Sequence, residues 1–249
     1  MNNFIEWDLT TWECFLAASC AFLIGISKTG ISGAGLMVVP IMAGIFGGKP
    51  STGLLLPILI FADVFAVSYY NRHARWKHVF KLLPWAVIGI FIALHVGEMI
   101  KDEVFKEIMA IVVLAGIVIM VYRDVKKEIK VPDKMWFAAI LGIAGGFSTM
   151  IGNAAGPIMA LYLLSTRLPK NNFIGTGAWF FFIINLLKVP LHVFAWKTIN
   201  FQTFIFDVLL IPAIALGAIS GFHLVKLIPE KFYRILVIAT TCIAAFLLF

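Results

Sequence analysis

Six runs of about 20 residues in this chain are almost entirely apolar, and a helix needs about that length to cross a bilayer. Over all 249 residues, 61% are hydrophobic and 13% charged, whereas soluble domains average roughly half and a quarter. The sequence therefore predicts an all-α membrane protein. Its formal charge of +7 indicates loop topology, so we expect contact with a lipid bilayer and none with nucleic acid. The predicted spans are residues 52–71, 82–100, 104–122, 172–193, 203–222 and 231–249.

The remaining apolar sequence predicts two hairpins with shorter arms, the first hairpin at 11–47 and the second hairpin at 135–166. Each contains a polar turn with glycines. Backbone groups freed by such a turn are tolerated in a membrane only where they face protein or line a cavity. We therefore expect broken helices, which either turn back inside the membrane or comprise a full span and a tilted one. Close helix packing is the other explanation for the glycines. The two turns are GISKTGISGAGLMVVP (Gly25–Pro40) and GGFSTMIGNAAGP (Gly145–Pro157).

One hairpin followed by three spans occurs twice, which divides the chain into a first repeat (1–122), a cytoplasmic linker (123–134) and a second repeat (135–249). Because each repeat has an odd number of spans outside its hairpin, the two are expected to be inverted in the membrane. Three identities at an offset of 128 residues support the repeat: Pro84 with Pro212, Gly89 with Gly217, and His95 with His223.

Lysines and arginines are distributed unequally between the two sides of this topology. Fourteen fall in the loops on one side and five on the other. Loops rich in Lys and Arg stay in the cytoplasm, so we expect a multi-pass protein of a bacterial-type inner membrane with both termini outside.

Ionisable residues inside membrane segments are costly, and each is a functional hypothesis. Lys28 lies at the tip of the first hairpin, where it should face a polar cavity. Asp63 and Lys188 occupy nearly equivalent positions in the two repeats, and we expect a salt bridge between them, with a proton-coupling role for Asp63 as the alternative. The other candidates are Asp207 and the histidines near span ends, His95, His192 and His223.

The two polar turns predict a site for an anion. Helices that restart at Gly35 and Ala155 would present free N–H groups and the positive ends of their dipoles. Neither turn contains a carboxylate. No metal is expected, since the three cysteines lack metal-ligand spacing. No catalytic residue or cofactor is expected either. The predicted substrate-binding residues are Lys28, Thr29, Gly33, Gly35, Thr149, Asn153, Ala154, Gly156, Asn185 and Lys188.

Four segments of the chain resemble the TauE/SafE family of sulfite exporter-like permeases. They are SKTGISGAGLMVVP (Ser27–Pro40), STMIGNAAGP (Ser148–Pro157), YLLSTRLPK (Tyr162–Lys170) and GTGAWFFFIINLLKVP (Gly175–Pro190). The resemblance implies transport of sulfite, sulfonates or related small sulfur-containing anions. Nothing else in the sequence selects sulfur.

Together these features predict a secondary transporter of a small anion that works by alternating access. No P-loop for nucleotide binding occurs, so the driving force should be an ion gradient, and we expect the proton as coupling ion. Two other classes stay open at this point: a membrane-embedded enzyme or haem protein that uses the histidines, and an anion channel.

Overall fold

The computed structural model describes residues 9–29, 34–125, 134–166 and 168–227, and this part of the chain is helical without strands. A 3-10 turn at Asn71–His73 follows α3, and a π-helical turn at Leu191–Ala195 follows α8. The ten α-helices are α1 (Thr11–Thr29), α2 (Ala34–Phe46), α3 (Gly48–Tyr70), α4 (Trp76–Met99), α5 (Asp102–Val125), α6 (Met135–Gly152), α7 (Gly156–Ser165), α8 (Lys170–Pro190), α9 (Phe201–Leu209) and α10 (Ile211–Leu227).

Five described helices are long and apolar enough to cross a membrane: α1, α3, α4, α6 and α8. For α3 and α8, the candidate span includes the turn that follows the helix. Helices α9 and α10 form a sixth candidate together, bent by 45°. The predicted spans at 52–71, 82–100, 172–193 and 203–222 match α3, α4, α8 and the α9–α10 pair, and the span at 104–122 is helical in α5. The predicted span at 231–249 and most of the linker 123–134 lie outside the described residues.

The arms of the two hairpins differ in length. The first arms, α1 and α6, have 19 and 18 residues, which suffices for a span. The second arms, α2 and α7, have 13 and 10 residues. At 1.5 Å per residue they cover about 20 and 15 Å, less than the roughly 30 Å of a bilayer core. The sequence predicted these short second arms.

Each helix of the second arms begins within one residue of its predicted start. Helix α2 begins at Ala34 instead of Gly35, and α7 at Gly156 instead of Ala155. Asn153 ends α6 in a left-handed conformation with φ 52° and ψ 25°, which asparagine tolerates better than most residues. The chain thus turns sharply between α6 and α7.

Helix α1 packs closely against α10 through glycines on both helices. A Cβ atom at Gly25 would collide with the carbonyl oxygen of Ile214, and one at Gly217 would collide with that of Phe22. Thr29 adds a hydrogen bond, since its Oγ1 donates to Ala218 O at 3.0 Å. Small residues allow this approach of two backbones.

Helices α4 and α6 pack in the same manner. A Cβ atom at Gly146 would collide with the carbonyl oxygen of Ala86, and one at Gly89 would collide with that of Ile143. The first arm of each hairpin therefore packs against a helix from the other half of the chain. Helix α3 lies at the centre of the described helices. Of its most apolar 18-residue stretch, 67% is buried inside the protein, against 33–50% for the other four single-helix candidate spans.

Candidate functional site

A cavity of about 150 Å³ lies among α1, α2, α3, α6, α7 and α8. The residues that flank both helix junctions border it: Lys28 and Gly35 at the junction of α1 with α2, and Asn153 and Gly156 at the junction of α6 with α7. Most of the remaining wall is apolar. It includes Leu36, Leu55, Leu59, Leu163, Phe173 and Phe181. The described residues of the two predicted polar turns therefore meet at one cavity.

Lys28 carries the positive charge on the cavity wall. Its Nζ lies 2.8 Å from Oδ1 of Asp63 on α3, and the two side chains are 17% and 0% exposed. Nζ also lies 4.5 Å from the ring centroid of Phe181, a distance at which a cation is attracted to an aromatic face. The lysine thus has a carboxylate and an aromatic ring as partners and retains access to the cavity.

Asn185 connects this ion pair to a second buried lysine. Its Nδ2 donates to Oδ2 of Asp63 at 2.7 Å, and its Oδ1 accepts from Nζ of Lys188 at 3.4 Å. The amide can do both because it carries a donor and an acceptor group. Helices α3 and α8 are joined at this level through one side chain.

Lys188 is fully buried, and the hydrogen-bond partners of its Nζ among the described residues are oxygen atoms. Nζ donates to Asn153 Oδ1 at 2.6 Å, to Thr149 O at 2.8 Å and to Thr149 Oγ1 at 3.2 Å. Asn153 in turn donates from Nδ2 to Thr52 O at 3.3 Å. A set of acceptors of this kind suits an ammonium group, which has three donors and no acceptor.

The predicted salt bridge between Asp63 and Lys188 is wrong. Asp63 pairs with Lys28, and Lys188 reaches the turn between α6 and α7, so that Asn185 lies between them. Equivalent positions along two helices determine only their depth in the membrane. Which side chains meet depends on how each hairpin packs beside its helix.

Six of the ten predicted substrate-binding residues line the cavity, and the structure places three elsewhere. Thr29 holds α1 to α10, Ala154 is buried but does not line the cavity, and Lys188 lies behind the wall that Asn185, Thr149 and Asn153 form. Gly33 lies outside the described residues. The six that line the cavity are Lys28, Gly35, Thr149, Asn153, Gly156 and Asn185.

Some backbone N–H groups predicted to bind the anion already have partners in this conformation. The N–H of Gly35 donates to Ser27 Oγ at 3.1 Å, and the N–H of Ala154 donates to Ser148 O at 3.3 Å. The first helix start is thus capped by its own chain. At the second, Gly156 begins α7 on the cavity wall, where the N–H groups of a first turn lack partners within their own helix.

The remaining ionisable candidates differ in burial. His95 and His223 are exposed. His192 and Asp207 are fully buried. Neither carboxyl oxygen of Asp207 has a hydrogen-bond partner among the residues that the structure describes. In the same part of the chain, no group of three or more His, Cys, Asp and Glu side chains could hold a metal ion.

The sequence reasoning predicted Asn185 of α8 at the cavity but missed the other residues of that helix on the wall, Phe181 above all. The signal was present, because Phe173, Gly177, Phe181 and Asn185 recur every four residues and so share one face of a helix. Lys188 follows three residues later on nearly the same face.

Comparison with known families agrees with this architecture. The family model described as Sulfite exporter TauE/SafE matches residues 17–248 of the 249. Comparison with curated proteins gave no match. The candidate spans and the family match together describe a multi-pass membrane permease, and the resemblance seen in the sequence is confirmed. The chain belongs to the TauE/SafE family of sulfite exporters.

Proposed function

We propose that this protein is a secondary transporter that moves a small anion by alternating access, with sulfite, a sulfonate or a related sulfur-containing anion as substrate. The observation that carries the proposal is the charge of the cavity wall. The family match supplies sulfur as the element, and the geometry supports an anion of small size.

The cluster formed by Lys28, Asp63, Asn185 and Lys188 contains two ammonium groups and one carboxylate. Its net charge is therefore +1 when all three ionisable groups are charged. An uncompensated charge inside a membrane protein is expensive, and an anion in the cavity beside Lys28 would compensate it. A cation would meet the opposite field, because the single carboxylate already has a lysine and an amide as partners.

The size of the cavity favours a substrate of few atoms. An engineered cavity of about 150 Å³ in another protein accommodates benzene, and the cavity described here has about 150 Å³. Sulfite and short sulfonates are of this size. The polar groups stand at one part of the wall, where Lys28, Thr149, Asn153 and Asn185 could orient the charged end.

Alternating access is supported by equivalent contacts in the two halves. Residues of the first hairpin correspond to those of the second at an offset of 121: Phe22 with Ile143, Gly25 with Gly146, and Lys28 with Thr149. In the first two pairs, each residue packs against a helix from the other half of the chain. In the third pair, Lys28 contacts α3 and Thr149 contacts α8. An inverted repeat of this kind lets one half rock against the other around a central site.

Binding of a sulfur-containing anion tests the proposal directly. Sulfite, thiosulfate, taurine, sulfoacetate and simple carboxylates are screened for thermal stabilisation of the purified protein, because a ligand stabilises the state that binds it. Lys28→Met should weaken binding roughly ten- to hundredfold, since a hydrogen bond to a charged group contributes about 1.5–3 kcal/mol. Lys101→Met, at an exposed position, is the matched control.

The screen and a transport assay also give the contradicting outcomes. Asn153→Leu should weaken binding as well, because it removes a polar group from the wall. Unchanged affinity in both Lys28→Met and Asn153→Leu would exclude this cavity as the site. Counterflow of radiolabelled anion in proteoliposomes that saturates with concentration supports a carrier, whereas flux that never saturates indicates a channel.

The orientation in the inner membrane belongs to the same proposal, with both termini outside and the proton as coupling ion. Single cysteines at Lys77 and Lys101, at opposite ends of α4, are introduced into a cysteine-free background. The cysteine at position 101 should react with an impermeant maleimide in intact cells, and that at 77 only after permeabilisation. The reverse pattern would overturn the orientation.

A further inference from the structure

We infer that His192 is a proton-binding site of this transporter, and that the proton on its Nε2 and the anion in the cavity bind cooperatively. The inference rests on the proposed function. It assigns a residue to the proton-coupling step, which had been considered only for Asp63.

The imidazole of His192 is fully buried, and only one of its two ring nitrogens has a hydrogen-bond partner among the described residues. Its Nδ1 lies 2.8 Å from Oγ1 of Thr198, whereas its Nε2 has no hydrogen-bond partner among the described residues. A buried polar atom without a partner is costly, and each one in a native structure calls for an explanation, of which a catalytic or binding role is one. Histidine is also the side chain whose charge normally changes between about pH 5 and 8. In the tautomer whose Nδ1 donates to Thr198, the unpartnered Nε2 is the ring nitrogen that can accept a second proton.

His192 lies between the charged cluster and the surface. It lies in the π-helical turn that continues α8, four residues after Lys188, so the two side chains lie about one turn apart on nearly the same face. On the other side, Thr198 is half-buried and adjoins exposed Lys197. His192 is the second residue of the π-helical turn Leu191–Ala195, and its backbone carbonyl accepts the N–H of Thr198 at 2.9 Å.

The charged groups around His192 are few. On α8 the neighbour is Lys188. From α3, Lys49 places its Nζ 5.7 Å from the ring of Trp196, which itself packs edge-on against the imidazole at 5.1 Å. From α5, Asp102 accepts the N–H groups of Gly48 and Lys49 at 2.9 Å each. The cation nearest along the helix, Lys188, therefore opposes a positive charge on His192.

This arrangement couples the proton to the anion. A proton from bulk water forms an N–H bond at Nε2 and turns the neutral ring into a cation, and the bond breaks again when the proton returns to water. With the cavity empty, that charge is disfavoured first by the burial of the ring and then by repulsion from Lys188. An anion beside Lys28 lowers the positive potential of the cluster and so favours protonation. By linkage, the protonated ring strengthens anion binding by the same factor.

His192→Asn tests the assignment, because the shorter amide can keep the contact with Thr198 while it removes Nε2. The affinities for sulfite and for methanesulfonate are measured between pH 5.5 and 8, and proton uptake on binding is measured by calorimetry in buffers of different ionisation enthalpy. Methanesulfonate keeps a constant charge in this range, and the protonation of sulfite itself contributes equally to both proteins. The difference between the wild-type and variant curves then belongs to His192.

We expect the wild type to gain at least fivefold in affinity from pH 8 to 5.5 relative to the variant, with proton uptake that the variant lacks. His223→Asn, at an exposed histidine, should behave as the wild type. Parallel curves and equal proton uptake in the wild type and the variant would overturn the role of His192. If His192→Asn does not fold, His192→Gln provides the same comparison. Failure of the wild type to bind either probe would overturn the proposed substrate class instead.

Discussion

The two hairpins contact their neighbouring helices at equivalent positions with opposite chemistry. In the first, the hairpin supplies the cation, Lys28, and α3 supplies the carboxylate, Asp63. In the second, α8 supplies the cation, Lys188, and the hairpin supplies neutral oxygens from Thr149 and Asn153. The architecture of the contact is shared, but only the first is an ion pair.

The difference shows how two similar contacts can carry unequal charge. Two equal ion pairs would be neutral together and would leave nothing for a substrate to compensate. Replacing the acid of one pair with threonine and asparagine oxygens leaves an extra ammonium group, while all its donors keep partners. When both lysines are charged, the surplus positive charge lies beside the cavity, where the proposed anion would compensate it.

The largest expected effect comes from breaking the ion pair. Asp63→Asn leaves Lys28 and Lys188 without a counter-charge, and removal of one partner of a buried pair costs about 3–5 kcal/mol of stability. The loss is measured by unfolding of the purified protein in detergent. Lys28→Met added to Asp63→Asn should recover much of it, because both charges are then gone. Additive losses would show that the two residues act separately.

Glycine substitutions test whether the two hairpins pack equivalently. Gly25→Ala and Gly146→Ala should each lower the free energy of unfolding by about 2 kcal/mol, because a Cβ there meets a carbonyl oxygen of α10 or α4. Gly44→Ala is the control, since nothing lies within 4 Å of its Cβ position. It should be neutral or stabilising by up to about 1 kcal/mol. A loss at only one of the two sites would contradict the equivalence.

Removal of the second cation should cost less stability than removal of the carboxylate. Lys188→Met leaves the oxygens of Thr149 and Asn153 without a donor but also removes a buried charge, so we expect a net loss of about 1–2 kcal/mol. The loss in the free energy of anion binding should be larger than the loss in the free energy of unfolding. A loss of stability as large as that of Asp63→Asn would mean that the second contact acts as an ion pair.

The smallest effect on stability should come from removal of a single hydroxyl group, that of Thr149. Thr149→Val removes the longest of the contacts that Thr149 and Asn153 make with Lys188, at 3.2 Å, and keeps the carbonyl at 2.8 Å. We expect about 1 kcal/mol or less in the free energy of unfolding. Thr149→Ser, which retains the hydroxyl group, should match the wild type. A loss in Thr149→Ser equal to that of Thr149→Val would attribute the effect to packing.

The sequence by itself determined the helical membrane class, the positions of the spans at 52–71, 82–100, 172–193 and 203–222, and the interruption of both hairpins. These features depend on local composition: about 20 apolar residues suffice for a span, and a cluster of glycine and polar residues interrupts a helix wherever it occurs. The helix starts at Ala34 and Gly156 were accordingly predicted within one residue. The list of buried ionisable residues followed from the same local patterns.

Only the tertiary structure decided which of those residues meet. It gave Asp63 to Lys28 instead of Lys188, placed Lys188 behind the cavity wall, and capped the N–H of Gly35 with Ser27. Each outcome depends on which face of one helix packs against another, at distances of a few ångströms between segments far apart in the chain. Hydropathy and spacing determine how deep a residue lies, but not which residue lies beside it.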